Sequence, residues 1–210
     1  ETYVPLADPL ARLAAEHARP RLTLAMSPTL CEMLRDSTLK ERYVAHLERI
    51  LKCAGEQAVR KRGSPYHDAA REYAERLERV RELYRSWDGD IPAVFASLEQ
   101  RGVVELVTCA ATHAVLPLVK HRASAHAQAE TGCRSFERHF GHRPAGIWLP
   151  ECGYAPWLDR ILDDSGIRYF FVDSHGAEHA SPRPRYGVHR PVLTPNGQVV
   201  FARDAETGTQ

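Results

Sequence analysis

No two cysteines in this chain stand in a Cys-x-x-Cys spacing, and their number, five, is odd. Neither a disulfide framework nor a zinc knuckle is indicated, and free thiols in a reducing compartment point to the cytoplasm. No run of eighteen apolar residues occurs, which excludes a helical membrane span. The net charge is only +1, so there is no broad field to attract nucleic acid or an acidic membrane surface. Internal repeats and low-complexity tracts are also missing. The opening residues "ETYVPLADPL" have no basic stretch, no apolar stretch and no initiator methionine. They read as neither a signal peptide nor a natural start, and a fragment is expected.

What remains is a globular composition, 43% hydrophobic and 26% charged over 210 residues, enough for one sizeable core. Asp8 and Pro9 read as the N-cap and first position of a helix with Leu10, Leu13, Ala14 and His17 on one face, stopped at Pro20. Residues 21–27 read as a short buried strand, and Ser27-Pro28 opens another helix. Two long helices follow, broken at 61–65. One carries Tyr43, Leu47, Ile50 and Ala54 at helical spacing, the other Tyr73, Leu77, Val80 and Tyr84. Glu72/Arg76 and Glu75/Arg79 are expected to pair along the second, whose charged side reads as a solvated face. Asp90 starts a third helix and Gly102 ends it. Beyond it strands at 103–112, 146–149, 169–173 and 199–203 alternate with helices at 124–140 and 155–165. That alternation is the grammar of an α/β fold with parallel strands, and residues 38–101 read as a helical insertion between two of them.

Parallel α/β folds place functional side chains where strands end at their carboxyl edge. Such ends here deliver Thr112-His113, Glu151, Asp173 with Ser174-His175, and Arg203-Asp204. Glu151 stands in "GIWLPECGY", where Trp148 and Leu149 would wall it with low dielectric and Trp148, Tyr154 and Trp157 offer flat faces for sugar rings. Each group also has a plain structural reading. His113 could bond a neighbouring carbonyl, Asp173 and His175 could close their own turn, and Arg203 could pair with Asp204. Glu105, between two apolar strand residues, faces either a polar barrel interior or a basic partner. Three chemistries fit these residue types. They are a Cys152–His113 nucleophilic pair, a metal site built from His113, His175, Asp173 and Glu151, and glycosyl transfer through two carboxylates. No His-x-His pair supports the second.

The ordered segments "ETYVPL", "SPTLCEML", "GVVELVTCAATHAVLPL", "GIWLPECGY", "FVDSHG" and "VFARD" resemble glycoside hydrolase family 57, most closely its 1,4-α-glucan branching enzymes. They span nearly the whole chain apart from about 38–101. The resemblance implies part of an incomplete (β/α)7 barrel and a retaining mechanism with no metal or cofactor. It implies an α-glucan partner such as amylose or a glycogen-like chain, and neither nucleic acid nor membrane. The glutamate of the Trp-Leu-Pro-Glu motif, Glu151, becomes the nucleophile. His113 lines the subsite around the reacting sugar, with Trp148, Tyr154, Asp173 and His175 as substrate neighbours. The same family's reactions include 4-α-glucan transfer and α-amylase hydrolysis. From a different class, the alternative is a divalent-metal hydrolase of the deacetylase type, which shares a related irregular barrel. The family's His-x-Pro motif and its acid/base aspartate would lie before Glu1 and after Gln210. These 210 residues alone are therefore expected to be inactive.

Overall fold

The structure, a computed structural model, describes residues 2–16, 18 and 20–208. His17, expected on the first helix, lies outside them. The chain divides into two compact units, Glu1–Leu22 with Glu32–Val104, and Thr23–Cys31 with Glu105–Gln210.

The first unit is helical. Helix α1 (Tyr3–Ala15) starts five residues before the expected Asp8 cap, with Pro9 inside it. Its buried stripe Val4, Ala7 and Leu10 spans both sides of Pro9, so burial of that face outweighs the one backbone bond a proline interior forfeits. Asp8 is left to accept hydrogen bonds from Nε and Nη2 of Arg79, at 2.9 and 2.8 Å. The chain next forms β1 (Leu22–Ala25) and α2 (Pro28–Arg35), then α3 (Ser37–Arg60), α4 (His67–Ser86) and α5 (Ile91–Gln100). Asp36 caps α3 through Leu39 N–H, and Asp90 caps α5 through Ala93 N–H as expected. Helices α3 and α4 form an antiparallel pair that buries Leu47 and Ala54 against Leu77, Val80 and Tyr84, with Tyr43 edge-on to Tyr84. The expected Glu75/Arg79 pair does not form. Arg79 is taken by Asp8, while Glu75 accepts from Arg71 one turn earlier. A bidentate fork to a carboxylate on another helix outcompetes a single exposed contact along the same one.

The second unit is a six-stranded sheet with helices on one face. Its strands are β1, β2 (Val104–Cys109), β3 (Gly146–Trp148), β4 (Tyr169–Val172), β5 (Val192–Leu193) and β6 (Val199–Ala202), in spatial order β1-β2-β3-β4-β6-β5. The pairs β2–β3, β3–β4 and β4–β6 are parallel, and β5 runs antiparallel to β6. Helix α6 (Arg122–Phe140) connects β2 to β3, and α7 (Leu158–Asp164) connects β3 to β4. Ala125, Ala129, Cys133, Leu158 and Leu162 of these helices bury Ile147, Phe170 and Val200 of the sheet. On the opposite face Trp148, Tyr169, Phe171 and Phe201 form a chain of ring contacts at 5.6–5.9 Å, and Phe201 is exposed. Glu105 opens onto that face and accepts from the Thr23 hydroxyl at 3.4 Å.

Two readings of the sequence change here. β1, expected to be buried, is largely exposed, because it is an edge strand covered on one side only by β2. The β5–β6 hairpin was not anticipated. Its turn, Thr194 to Gln198, carries Pro195-Asn196-Gly197, with Gly197 at φ 88°. That triplet is a strong turn signal, but a two-residue strand before it shows no periodicity to read.

Candidate active site

The register of β2 on β3 sets Cys109 opposite Trp148, so the loops that leave these two strands emerge side by side. The β2 loop is pinned by α6. The backbone N–H of Ala111 donates to the Gln128 carbonyl at 3.0 Å, and that of Thr112 donates to Gln128 Oε1 at 3.0 Å. Helix α6 reaches the strand this closely because Gly132 has no side chain. A methyl there would run into the Cys109 carbonyl, and Thr108 Oγ1 instead donates to the Gly132 carbonyl at 3.0 Å. The pinned loop ends on His113 at φ 58°.

The β3 loop is a single tight turn. Leu149 points into the core, Pro150 follows, and Glu151 and Cys152 both adopt left-handed backbone at φ 55° and 54°. The Cys152 N–H closes the turn on the Leu149 carbonyl at 2.9 Å. Left-handed backbone costs a non-glycine residue about 1–2 kcal/mol, and such strain concentrates at functional sites. Among the described residues four non-glycine positions have positive φ, and three of them are His113, Glu151 and Cys152.

The two loops bring Glu151 Oε1 to 3.5 Å from His113 Nε2. Glu151 is 75% exposed and His113 47%, so the carboxylate stands free at the strand end. The low-dielectric wall expected from Leu149 is absent, since that side chain is fully buried on the core side. On the other edge of the ring, His113 Nδ1 lies 3.1 Å from Cys109 Sγ. Burial pushes the Cys109 thiol up to about 11, so it stays protonated at neutral pH.

The remaining expected residues divide. Trp148 is half-buried on the aromatic face, 5.9 Å from Phe171. Tyr154 stacks on Phe170 at 4.9 Å and donates its hydroxyl to buried Asp159 at 2.8 Å. Burial and that carboxylate raise the phenol well above its ordinary pKa. Asp159 also accepts from Asn196 in the β5–β6 turn, which ties the residues after Glu151 to the hairpin. Asp173 caps α8 (Ser174–Glu178) by accepting from Ser174 N–H at 2.8 Å, and His175 Nδ1 stands 3.8 Å from its other oxygen. Among the described residues no ion pair joins Asp173 or His175 to Glu151. The two sides meet instead around Cys152. Its thiol is raised chiefly by burial, lowered by the Arg203 guanidinium, and raised again by Asp173 and Glu151. A raised thiol whose expected base faces Glu151 and Cys109 does not form a Cys152–His113 nucleophilic pair. Arg203 and Asp204 do not pair as the sequence suggested. Arg203 donates to the Gly208 carbonyl, and Asp204 accepts from the Thr207 hydroxyl at 2.9 Å. Among the described residues no group of three or more His, Cys, Asp or Glu is placed to hold a metal ion. Cys109 and Gln128 escaped the sequence reading, because a buried strand cysteine and a helical glutamine carry no motif.

A strained glutamate at a strand end, facing a histidine from the neighbouring strand, occurs in a chain whose residues 2–209 match the family description "Glycosyl hydrolase family 57". The chain belongs to glycosyl hydrolase family 57. It is 33% identical over 239 aligned positions to a 1,4-alpha-glucan branching enzyme of Thermococcus kodakarensis, covering all of this chain and 35% of that protein. Among solved structures it resembles the alpha-amylase AmyC from Thermotoga maritima, at TM-score 0.90 and 40% identity, over 100% of this chain and 40% of that one. It also resembles a branching enzyme of this family from Pyrococcus horikoshii, at TM-score 0.92 and 34% identity, over 99% and 42%. The chain therefore spans between about a third and two-fifths of the length of these family 57 relatives. Its open, mostly parallel sheet is part of the incomplete (β/α)7 barrel of family 57.

Proposed function

We propose that this chain belongs to a retaining enzyme acting on α-1,4-glucan, with Glu151 as its nucleophile and α-1,6 branching as its reaction. The observation that carries the reading is the strained β3 turn, which holds an exposed carboxylate 3.5 Å from His113 Nε2. Glu151 attacks the anomeric carbon of a glucan chain and forms a covalent glycosyl-enzyme. The leaving chain takes a proton from a general acid. The 6-hydroxyl of a second chain then gives its proton back to that group and attacks the anomeric carbon, which breaks the bond to Glu151. The retaining route needs that second carboxylate about 5–5.5 Å from the first. Its family position is assigned to none of these residues. No metal or cofactor enters the scheme.

His113 faces the nucleophile, and Trp148 is proposed to offer its half-buried ring to the glucan from the aromatic face. Tyr154, with its ring stacked and its hydroxyl committed to Asp159, supports the reading as a brace for the loop after Glu151. Asp173 and His175 are proposed as groove residues at the next strand end, and 38–101 as a helical insertion into the catalytic domain. Five free cysteines support a cytoplasmic setting.

The likeness to the Thermotoga maritima alpha-amylase, at 40% identity, favours a second reading in which water replaces the acceptor hydroxyl. The full-length protein incubated with amylose separates the two. Branching yields α-1,6 linkages without new reducing ends, and hydrolysis yields reducing ends. Glu151→Gln is expected to abolish either activity by more than a thousand-fold, in keeping with loss of a covalent catalyst. Undiminished turnover by that variant would overturn the assignment.

A further inference from the structure

Cys109 closes β2 in a buried position, and the chemistry proposed for Glu151 makes no use of its thiol. Its sulfur contacts His113 Nδ1 at 3.1 Å, while Nε2 of the same ring lies 3.5 Å from Glu151. Thiol, imidazole and carboxylate thus stand in line. His113 makes the sulfur contact from a left-handed backbone, with its N–H bonded to the Ala110 carbonyl at 3.0 Å and its loop pinned by Gln128. The ring is therefore held by its backbone on one side and by the sulfur on the other.

A neutral imidazole has one donor and one acceptor nitrogen, and the partner at one nitrogen decides what the other carries. Burial outweighs the lowering effect of the Ala110 backbone and keeps the Cys109 sulfur a thiol. Its S–H is left with Nδ1 as a partner. We propose that Cys109 is a positioning residue that donates to His113 Nδ1, leaves the ring proton on Nε2, and so aims an N–H at Glu151. That N–H steadies one carboxylate oxygen and leaves the other to attack. The proposal rests on Glu151 being the nucleophile, but its first consequence, the tautomer, can be observed without any activity.

Long-range proton–nitrogen NMR of protein labelled at histidine nitrogen reads the tautomer, with the His113 signals assigned by their loss in His113→Gln. The wild-type chain is expected to carry the proton on Nε2, Cys109→Ser to keep it there, and Cys109→Ala to show a mixture. In the full-length protein, Cys109→Ala is expected to lower kcat on amylose about ten-fold with KM little changed, as loss of one hydrogen bond to a charged group would. Cys109→Ser is expected to recover part of that loss. A wild-type ring protonated on Nδ1 overturns the proposal, even where Cys109→Ala does not fold. An unchanged tautomer and kcat in Cys109→Ala overturn it too. Failure of the nucleophile reading is recognised separately, by activity retained in Glu151→Gln while the wild-type tautomer stays on Nε2.

Discussion

At the β3 turn two consecutive side chains occupy backbone space that favours glycine, Glu151 at φ 55° and Cys152 at φ 54°. The turn lifts the Glu151 carboxylate clear of the sheet, and each residue carries part of the strain. A branched Cβ at such a position is far worse than cysteine. Cys152→Val is therefore expected to lower stability by about 1–3 kcal/mol, whereas Cys152→Gly stays within about 1 kcal/mol of wild type. Urea unfolding of both variants checks this, and equal losses would show that the turn is unstrained. The motif around Glu151 was legible in the sequence, although β3 ends at Trp148, one residue before the expected Leu149. The positive φ was not, since neither glutamate nor cysteine announces it. Tyr154 shows the same limit. An aromatic near the glutamate reads as a sugar platform, and only packing reveals a ring stacked on Phe170 with its hydroxyl on Asp159.

Among the elements, α6 does the most to assemble the site. Its Gly132 permits close approach to β2, and its Gln128 holds the loop that ends on His113. Gly132→Ala is expected to destabilise by about 1–3 kcal/mol through overpacking against a backbone that cannot retreat. Thermal unfolding measures this, and an unchanged midpoint would contradict the contact.

Midway along α6, between Gln128 and Gly132 in the chain, Glu130 fastens the helix. This carboxylate is held down at about 2 by hydrogen bonds, first from Arg143 and then from Arg134. Arg143 also donates to the Ser165 carbonyl after α7, so one guanidinium joins both helices. Because the folded-state pKa lies below that of the unfolded chain, the stability from this group is fully present above about pH 4.5. It is lost as the pH falls towards about 2. Glu130→Gln should flatten the acid limb of stability between these values and leave its slope above about pH 5 unchanged. A pH series of urea midpoints tests it. The longer helices and most strands were legible from periodicity, and α5 from its Asp90 cap, whereas the Asp8 cap was not where α1 begins. Arg79 leaving Glu75 for Asp8 was not, because a pattern along one helix cannot see a carboxylate on another.

For the whole molecule, the proposed chemistry needs two carboxylates, and the one assigned here is Glu151. Glucan transfer by these 210 residues alone is expected to be undetectable against the full-length protein, with amylose as substrate and branch linkages counted. Transfer by the 210 residues would place the acid/base within them. The two units also differ in how far sequence reaches. The helical unit follows its 3.6-residue stripes closely, because each helix encodes its own buried face. In the sheet unit, the alternation of strands and helices announced parallel pairing, yet strand order and register depend on partners distant in the chain.

Read along the chain alone, the residues already carry the α/β class, the family, the longer helices, the Asp90 cap and the strand-end glutamate. These depend on local pattern and on ordered motifs, which are carried by neighbouring residues. Only the tertiary structure decided that Cys109 lies opposite Trp148, and that register brings His113 to Glu151. It alone decided that a buried thiol stands behind the histidine. Contacts between distant segments are set by packing, and no single segment encodes them.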